Sequence, residues 1–458
     1  MFNTIHCKRG FFPLGLLTFA FVLSSCSSEY KKYADNEAKQ VASIIRENGC
    51  LQCHAANAAV PFYGKLPLVG PVVKADMQEG TRYLDLTAMV DALENGKPVS
   101  EVDLAKLENT ALSGSMPPAK YYAMPIHWGT NLDGKEKGVI LAWAKNVRKN
   151  HFTTPTVSEE FANEPVQPLM AFLPTDSAKV ALGFELYHDT RLSADNTISC
   201  ATCHGLNTGG VDRKQYSEGI KGQFGGVNAP TVYNAALNTL QFWDGRAADL
   251  KEQAAGPPLN PVEMGCNSFD EISAKLAEDK EFSKRFLEVY PEGLNQSTIT
   301  DAIAEFEKTL LTPSRLDKYL MGDKNALTAQ ELEGYQLFKD NKCATCHTGV
   351  NIGGQSFEYM GIKLNYFDYR GTGLTDGDHG RYAVTKDESD RHKFKTPTLR
   401  NVMITAPYMH DGSIASIEDA IRIMHTFQIG KDITDAETTQ IVAFLHTLTG
   451  EYKGKQLQ

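Results

Sequence analysis

The chain has 458 residues, of which 42% are hydrophobic and 22% charged, values that are ordinary for a globular protein of two or three domains. Its formal net charge is −10, without long runs of one sign. This balance argues against a nucleic-acid partner, because phosphate binding needs a basic surface.

The N-terminus has the pattern of an export signal. Lys8 and Arg9 precede an apolar run from Phe11 to Leu23 that is too short for a transmembrane helix. The following "LSSC" resembles the cleavage box of bacterial lipoproteins, in which Cys26 becomes the lipidated N-terminus; a plain signal peptide cut nearby is the alternative. We therefore predict a signal peptide over residues 1–25 and a protein exported to the periplasm of a Gram-negative bacterium, lipid-anchored at Cys26.

One short pattern, C-x-x-C-H, occurs three times in the chain. It reads "CLQCH" once and "CATCH" twice. The cysteines are Cys50 and Cys53, Cys200 and Cys203, and Cys343 and Cys346, and the histidines that follow them are His54, His204 and His347.

This spacing is typical of covalent haem attachment. The two thiols add to the haem vinyl groups, and the histidine becomes an axial iron ligand. A thioredoxin-like redox pair would need no such histidine, and a zinc site would need a second cysteine pair at a suitable distance. We predict three covalently bound haem c groups. Outside the predicted signal and lipid box only Cys266 is left, so there is no disulfide framework, and we expect Cys266 to be a small core residue.

Residues 26–150 are predicted to form an N-terminal c-type haem domain. The stretch "SGSMPPAKYYAMPIHWG" offers Met116 as the distal iron ligand, and a Met/His pair would raise the haem potential. His127 is the rival ligand and would give a bis-His haem of lower potential. No catalytic residues are visible in this domain, so its predicted role is to receive electrons. Residues 151–175 are rich in proline without helical periodicity, which predicts a linker.

The rest of the chain contains an internal duplication. "GFELYHD" precedes the first "CATCH" and "GYQLFKD" the second, while "APTVYNA" and "TPTLRNV" follow them. Pro230 stands as far before Trp243 as Pro397 stands before His410. Short amphipathic helical stretches alternate with glycine-rich loops. We predict a mainly α protein with little β structure, whose tandem cytochrome c-like haem domains include residues 176–330 and 331–458.

From Leu182 to Thr447 the sequence resembles the bacterial di-haem cytochrome c peroxidases. The resemblance rests on "RLSADNTISCATCH", "NAPTVYNAALNTLQFWDGRAADLKEQAAGPPLNPVEMG" and "FKTPTLRNVMITAPYMHDGSIASIEDAIRIM". It implies that the haem at His204 reacts with peroxide. It also implies that the haem at His347 transfers electrons and has Met424 as its distal ligand. Taken alone, Met424 would be a core methionine on an amphipathic helix.

The resemblance also implies the residues that carry the chemistry. Glu263 would move a proton between the peroxide oxygens, and Gln253 would bind the leaving oxygen. Trp243 would lie between the two haems and support electron transfer, and Arg246 would contact a haem propionate. Read without the family, these residues would be helix-end, surface and core side chains.

A calcium ion between the two haem domains is a further implication of the resemblance. Its ligands would be Asn228 and the backbone oxygens of Thr405 and Pro407, and one amide with carbonyls and waters suits a hard cation. Members of the family form dimers, and a homodimer is implied by the resemblance alone.

The chain departs from the family in the loop that follows His204. Many members carry there a histidine that blocks the iron until the other haem is reduced. The loop "GLNTGGVDRKQYSEGIKGQFGGVNAP" has no histidine, and Ile220 stands at that position. We expect an iron site that is open without reductive activation; capping by Met264 or by a mobile side chain is the alternative.

These observations predict a tri-haem peroxidase that reduces hydrogen peroxide to water with two electrons from an external donor. The donor could be a small cytochrome c, a cupredoxin or a membrane quinol. One alternative is a di-haem oxidase acting on a protein side chain; relatives of that type place a tyrosine where Met424 stands. Another is an electron-transfer cytochrome without catalytic turnover, against which Glu263 and Gln253 argue.

Overall fold

The computed structural model describes residues 29–121 and 131–458, so that the predictions for Cys26 and His127 lie outside the described residues. The chain divides into two compact units, Met1–Val147 and Arg148–Gln458. Each unit is described by itself.

The described part of the first unit is a small helical domain. Its helices are α1 (Glu37–Glu47), α2 (Gly70–Tyr83), α3 (Leu86–Glu94), α4 (Glu101–Ser113) and α5 (Gly134–Val147). Helix α1 begins after Asn36, whose side chain accepts a hydrogen bond from the Lys39 N–H. One face of α1 is apolar and buried, and the helix packs on α3 and α5. These contacts form the core of the domain.

The second unit contains thirteen α-helices in the described chain. They are α6 (Ser177–Tyr187), α7 (Cys200–Cys203), α8 (Leu250–Ala254), α9 (Gly256–Leu259), α10 (Phe269–Ala277), α11 (Lys280–Val289), α12 (Gln296–Glu307), α13 (Arg315–Leu320), α14 (Ala329–Asp340), α15 (Tyr366–Arg370), α16 (Tyr382–Thr385), α17 (Ile417–Ile423) and α18 (Asp435–His446). A π-helical turn, Met424–Ile429, continues α17.

Strand structure is limited to two antiparallel pairs among the described residues. They are β1 (Phe357–Tyr359) with β2 (Lys393–Lys395), and β3 (Glu451–Tyr452) with β4 (Lys455–Gln456). The predicted mainly α fold with little β structure is therefore confirmed. In the part of the chain that the structure describes, no helix is long and apolar enough to cross a membrane.

The internal duplication is visible as two equivalent helix pairs. Helix α6 packs on α12 in the first module (residues 176–330), and α14 packs on α18 in the second module (residues 331–458). A glycine permits the close approach in each pair. A Cβ added to Gly183 would lie 1.8 Å from the Ala302 oxygen, and one added to Gly334 would lie 2.0 Å from the Gln440 oxygen.

The segment predicted as a linker is instead packed into the second unit. Phe161 and Val166 belong to the hydrophobic core that also contains Leu316 and Phe444. Val166 forms a parallel bridge with Gly349. The interpretation of residues 151–175 as a linker therefore needs correction. The proline content removes helical periodicity, but an extended segment can still bury its alternate apolar side chains.

Candidate functional site

Each C-x-x-C-H pattern lies at a short helical turn. The first cysteines begin the turns Cys50–Gln52, α7 and Cys343–Thr345. None of these six cysteines is in a disulfide, and each is partly buried. Two thiols on one turn are thus available to the same edge of a porphyrin, which fits covalent haem attachment.

The histidine of each pattern is fixed in the orientation that a metal ligand needs. The Nδ1 atom of His54 lies 3.0 Å from the Leu84 oxygen, that of His204 lies 3.3 Å from the Gly210 oxygen, and that of His347 lies 3.3 Å from the Ile352 oxygen. A carbonyl can only accept, so Nδ1 must donate, and Nε2 keeps its lone pair for iron. Burial lowers the pKa of all three histidines, that of His347 to about 4, which favours the neutral imidazole.

The thiols do not have the environment of a redox-active pair. Burial raises the pKa of Cys50, Cys200 and Cys343 to about 12. A reactive dithiol has the opposite shift, because its thiolate must be stabilised. The residues present therefore fit attached haem better than a thioredoxin-like site.

Glu263 lies in the turn after α9 and is partly buried. The Nδ2 atom of Asn260 donates a hydrogen bond to its Oε1 at 2.8 Å. Burial raises the pKa of Glu263, while the positive charge of Arg246 and the hydrogen bond from Asn260 partly offset this effect. A carboxyl group whose pKa is raised in this way is suited to accept a proton and to return it.

Gln253 and Arg246 flank the same segment. Gln253 lies on α8 and is partly buried, with its backbone N–H bonded to the Asp249 oxygen at 3.0 Å. Arg246 is exposed, forms an ion pair with Asp244 at 3.0 Å and lies 3.5 Å from the centre of the Phe242 ring. Its side chain is thus held in place, and its charge is felt at Glu263.

The loop without histidine is bound to the turn that carries Glu263. The N–H of Ile220 donates to the Glu263 oxygen at 2.9 Å, and Nε2 of Gln223 donates to the Pro261 oxygen at 3.0 Å. Ile220 is buried, and its Cδ1 would lie 2.1 Å from a Cβ added to Gly265. Met264, the alternative capping residue, is packed in the core around α10 and α12.

Trp243 and Met424 contact one aromatic cluster, which links the two modules. Both pack against buried residues of the second module, namely Tyr366, Phe367, Phe394, Ile423 and Phe427. The indole Nε1 of Trp243 donates to the Asn228 oxygen at 2.9 Å. Met424 begins the π-helical turn, a distortion that is frequent at functional sites.

The residues expected to bind calcium come from both modules. Asn228 is buried, and its Nδ2 donates to the oxygens of Lys214 at 2.9 Å and Gln215 at 3.3 Å. This leaves the Asn228 Oδ1 atom for a cation. Thr405 and Pro407 lie in the turn before His410, and the His410 oxygen accepts the Asn228 N–H at 2.8 Å. No cluster of three or more acidic, His or Cys side chains suited to a metal occurs within 29–121 and 131–458.

A buried charged network behind His410 could not be inferred from the sequence. The Nε2 atom of His410 lies 2.7 Å from Asp378, and Arg370 binds both Asp378 and Asp411. Burial by itself would raise the pKa of Asp378, but hydrogen bonds from Arg370, His410 and Thr375 hold it far below its usual range. Asn260, which binds the Glu263 carboxyl, is a second functional residue that no motif in the sequence indicates. Its place three residues before Glu263 is the one local signal for this contact.

Met116 lies in the turn that follows α4 and is partly buried. Helix α4 ends at Gly114, whose φ of 59° is left-handed and turns the chain.

Cys266 is buried in the core beside Leu192, as the sequence predicted.

Comparisons with protein families divide the chain into three parts. The di-haem cytochrome c peroxidase family matches residues 177–325, a haem-binding domain matches 18–146, and a cytochrome c domain matches 332–449. These matches show that the chain carries covalently bound haem c.

Individual relatives extend the likeness to nearly the whole chain. Cytochrome c peroxidase Ccp of Escherichia coli is 49% identical over 429 residues, which cover 93% of this chain and 91% of that protein. Cytochrome c551 peroxidase of Nitrosomonas europaea is 48% identical over 295 residues, which cover 63% of this chain and 85% of that protein. The crystal structure of a MauG-like protein associated with microbial copper homeostasis matches at 30% identity with a TM-score of 0.55, covering 61% of this chain and 91% of that one. The chain therefore belongs to the di-haem cytochrome c peroxidase family and extends it by an N-terminal haem-binding domain.

Proposed function

We propose that this protein reduces hydrogen peroxide to water with two electrons from an external donor, at the site formed by His204, Glu263 and Gln253. The observation that carries the proposal is the partly buried Glu263 carboxyl, whose pKa is raised and whose position Asn260 fixes. The relatives at 49% and 48% identity are also named as peroxidases.

A haem attached at Cys200 and Cys203, with His204 as an iron ligand, would supply the iron that binds peroxide and would pass on the two electrons of the external donor. Glu263 accepts a proton from the peroxide oxygen that binds and returns it to the oxygen that leaves. The amide of Gln253 donates a hydrogen bond to that leaving oxygen. Two further protons from solvent complete two water molecules. The desolvated surroundings of Glu263 favour this exchange, because they keep its affinity for the proton high.

The site is open to peroxide in the oxidised protein. This is supported by the absence of histidine from the loop after His204 and by the contacts that bind Ile220 to Glu263 and Gly265. The core packing of Met264 argues against it as a cap. Visible and electron paramagnetic resonance spectra of the oxidised protein test this step. High-spin iron is expected, and purely low-spin iron would exclude an open site.

The three proposed haems have different roles in electron transfer. His54 with Met116, His347 with Met424, and His204 would each hold one haem; the first two haems would receive electrons from the donor, the third would use them on peroxide, and Trp243 would support transfer within the second unit. Haem content measured per chain tests the count. Variants Met116→Ala and His127→Ala decide the distal ligand of the first haem, because only loss of the true ligand changes its spin state and potential.

The protein works in the periplasm of a Gram-negative bacterium, with a lipid on Cys26. The "LSSC" box supports this location. Membrane tethering brings a quinol donor within reach, and a small cytochrome c or a cupredoxin are the other donors to assay. Cys26→Ser should release the protein from membranes, and sedimentation of the released form would test whether it is a homodimer.

A calcium ion bound by Asn228, Thr405 and Pro407 holds the two modules together. The free Oδ1 of the buried Asn228 side chain supports this site. Chelation should lower the temperature of unfolding, and Ca²⁺ should restore it, in the wild type but not in Asn228→Ala.

The decisive experiment uses holo-protein whose haems have been counted. The protein is fully reduced without oxygen, sub-stoichiometric peroxide is added, and haem oxidation is followed by visible spectroscopy. Loss of two haem electrons per peroxide, repeated after fresh reductant, is the result expected of a peroxidase. If the haems stay reduced, the protein is an electron carrier instead.

A further inference from the structure

The two modules exchange equivalent hydrogen bonds across their boundary. The Asn228 N–H of the first module donates to the His410 oxygen of the second at 2.8 Å. The Lys395 N–H of the second module donates to the Trp243 oxygen of the first, also at 2.8 Å. The repeat pairs Pro230 with Pro397 and Trp243 with His410, so it also pairs Asn228 with Lys395.

The backbone around these positions supports the pairing. Phe242 and Met409 precede Trp243 and His410, and both have the rare positive φ, 67° and 71°. Gln241 bridges Ala247 in the first module as Tyr408 bridges Ile414 in the second. The two loops therefore have one conformation, and their residues correspond one to one.

This correspondence extends to the proposed calcium site. The oxygens of Thr405 and Pro407 would bind calcium together with Asn228. The sequence separation that pairs Pro230 with Pro397 also pairs Asn238 with Thr405 and Leu240 with Pro407. The Nζ atom of Lys395 donates a hydrogen bond to the Leu240 oxygen at 3.0 Å. The ammonium group thus binds the carbonyl that corresponds to a proposed calcium ligand.

Lys395 is placed to act as a fixed charge. Its side chain is buried, with 6% of the residue exposed. Burial lowers the pKa of Lys395 to about 8, and the charge of Asp244 opposes this effect, so the ammonium form prevails at pH 7. Burying an ammonium group costs free energy unless oxygen atoms bind it. A lysine at this position therefore indicates that its contact with the Leu240 oxygen contributes to the fold.

We propose that the ammonium group of Lys395 takes the place of calcium at the pseudo-equivalent position, so that one boundary between the modules depends on Ca²⁺ and the other on an ammonium group attached to the chain. The inference rests on the proposed calcium site at Asn228. Lys395 holds the loop of Trp243 by two bonds, from its N–H to the Trp243 oxygen and from Nζ to the Leu240 oxygen. It is a positioning residue for Trp243.

The arrangement makes the two boundaries respond differently to calcium. Removal of Ca²⁺ would loosen the loop of Thr405, Pro407 and His410, where the cation joins Asn228 to the second module. The Trp243 loop would stay in place, because Lys395 cannot dissociate. The backbone of Trp243 thus keeps its support from Lys395 in both calcium states, whereas its indole Nε1 donates to the oxygen of Asn228, a proposed calcium ligand.

The test exchanges the two residues in haem-loaded protein. Lys395→Asn introduces the amide of the first module. Lys395→Met removes the ammonium group and its hydrogen bond to the Leu240 oxygen, and Lys393→Met on the same strand is the matched control. After chelation, each protein is dialysed against Ca²⁺, and bound calcium and the temperature of unfolding are measured. Lys395→Asn should bind one more equivalent than the wild type, and Ca²⁺ should restore stability that this variant has lost. Lys395→Met should lose stability without rescue, and Lys393→Met should match the wild type.

The outcomes separate this inference from the calcium site itself. If Lys395→Asn keeps its haem but binds no more calcium than the wild type, the proposed equivalence is overturned. Should that variant fail to fold, Asn228→Lys decides. It should bind no calcium and, in the absence of Ca²⁺, unfold at a higher temperature than Asn228→Ala; an equal or lower temperature would overturn the proposal. If the wild type binds no calcium, the Asn228 site fails. The role of Lys395 then stands only if Lys395→Met unfolds at a lower temperature than Lys393→Met.

Discussion

The N–H of Ile220 donates a hydrogen bond of 2.9 Å to the backbone oxygen of Glu263. This bond joins the loop after His204 to the turn that carries the proposed catalytic carboxyl. Because Gln223 binds Pro261 in the same turn, the loop and the turn are held together at two points. The position of Glu263 therefore depends on a loop that lies about forty residues earlier in the sequence.

Gly265→Ala should disturb this contact without removing any catalytic group. The new Cβ would lie 2.1 Å from Cδ1 of Ile220, and the φ of 67° is unfavourable for alanine. We expect peroxide turnover to fall by up to about 10²-fold, the effect of a displacement of ~1 Å at a reacting group. Turnover is measured at saturating donor, with haem content as a check. Gly226→Ala, in the same loop but with open space around it, is the control. Unchanged turnover in Gly265→Ala would mean that the loop does not position Glu263.

Glu263→Gln should abolish most of the peroxidase activity while the haems remain bound. The amide keeps the shape of the side chain but cannot take up a proton, and general acid–base catalysis contributes about 10²–10⁴-fold to a rate. The rate of haem oxidation by peroxide, followed by stopped flow, gives the loss directly. The exposed Glu278→Gln should react at the wild-type rate. A loss below about tenfold would assign the proton transfer to another group.

Glu307→Gln should stabilise the protein in a pH-dependent way. Glu307 is buried on α12, its Oε2 has no hydrogen-bond partner in the described structure, and burial raises its pKa to about 8. The folded state holds this proton more tightly than the unfolded state, whose carboxyl has a pKa near 4.3. The cost of the buried carboxyl is thus absent at acid pH and grows by about 1.4 kcal/mol per pH unit until the pH passes the folded pKa.

The stability gained by Glu307→Gln over the wild type should therefore be small at pH 5 and largest above pH 8. Thermal unfolding at a series of pH values measures it. The exposed Glu288→Gln should show no such trend. A gain that does not change with pH would show that Glu307 does not titrate as its burial predicts.

Arg400→Met should destabilise the second unit strongly. Arg400 and Asp317 form a bidentate ion pair at 2.8 and 2.9 Å, and both side chains are wholly buried. Removing one partner leaves a buried charge unpaired, at a cost of about 3–5 kcal/mol. Urea unfolding measures the loss. Arg422→Met removes an exposed ion pair and should cost about 0–1 kcal/mol. Equal effects of the two changes would contradict the importance of burial here.

The same ion pair explains why residues 151–175 are packed into the second unit and do not form the linker that their composition predicts. The Leu169 N–H donates to Asp317 at 2.7 Å, and the Gln167 oxygen accepts from Arg400 at 3.4 Å. Asp317 and Arg400 are far from this segment in the sequence and have no local pattern that announces the contact. A proline-rich segment bound by distant side chains is indistinguishable, by composition, from a free linker.

The sequence by itself determined what depends on local spacing. Two cysteines and a histidine within five residues define a haem attachment turn, amphipathic periodicity predicts helices, and repeated motifs reveal a duplication. Only the tertiary structure decided what depends on residues far apart. It bound Ile220 to Glu263, surrounded His410 with Asp378 and Arg370, and set Lys395 against Leu240. Such contacts arise because burial leaves each polar group to find a partner wherever the packed chain offers one, and no local pattern records that choice.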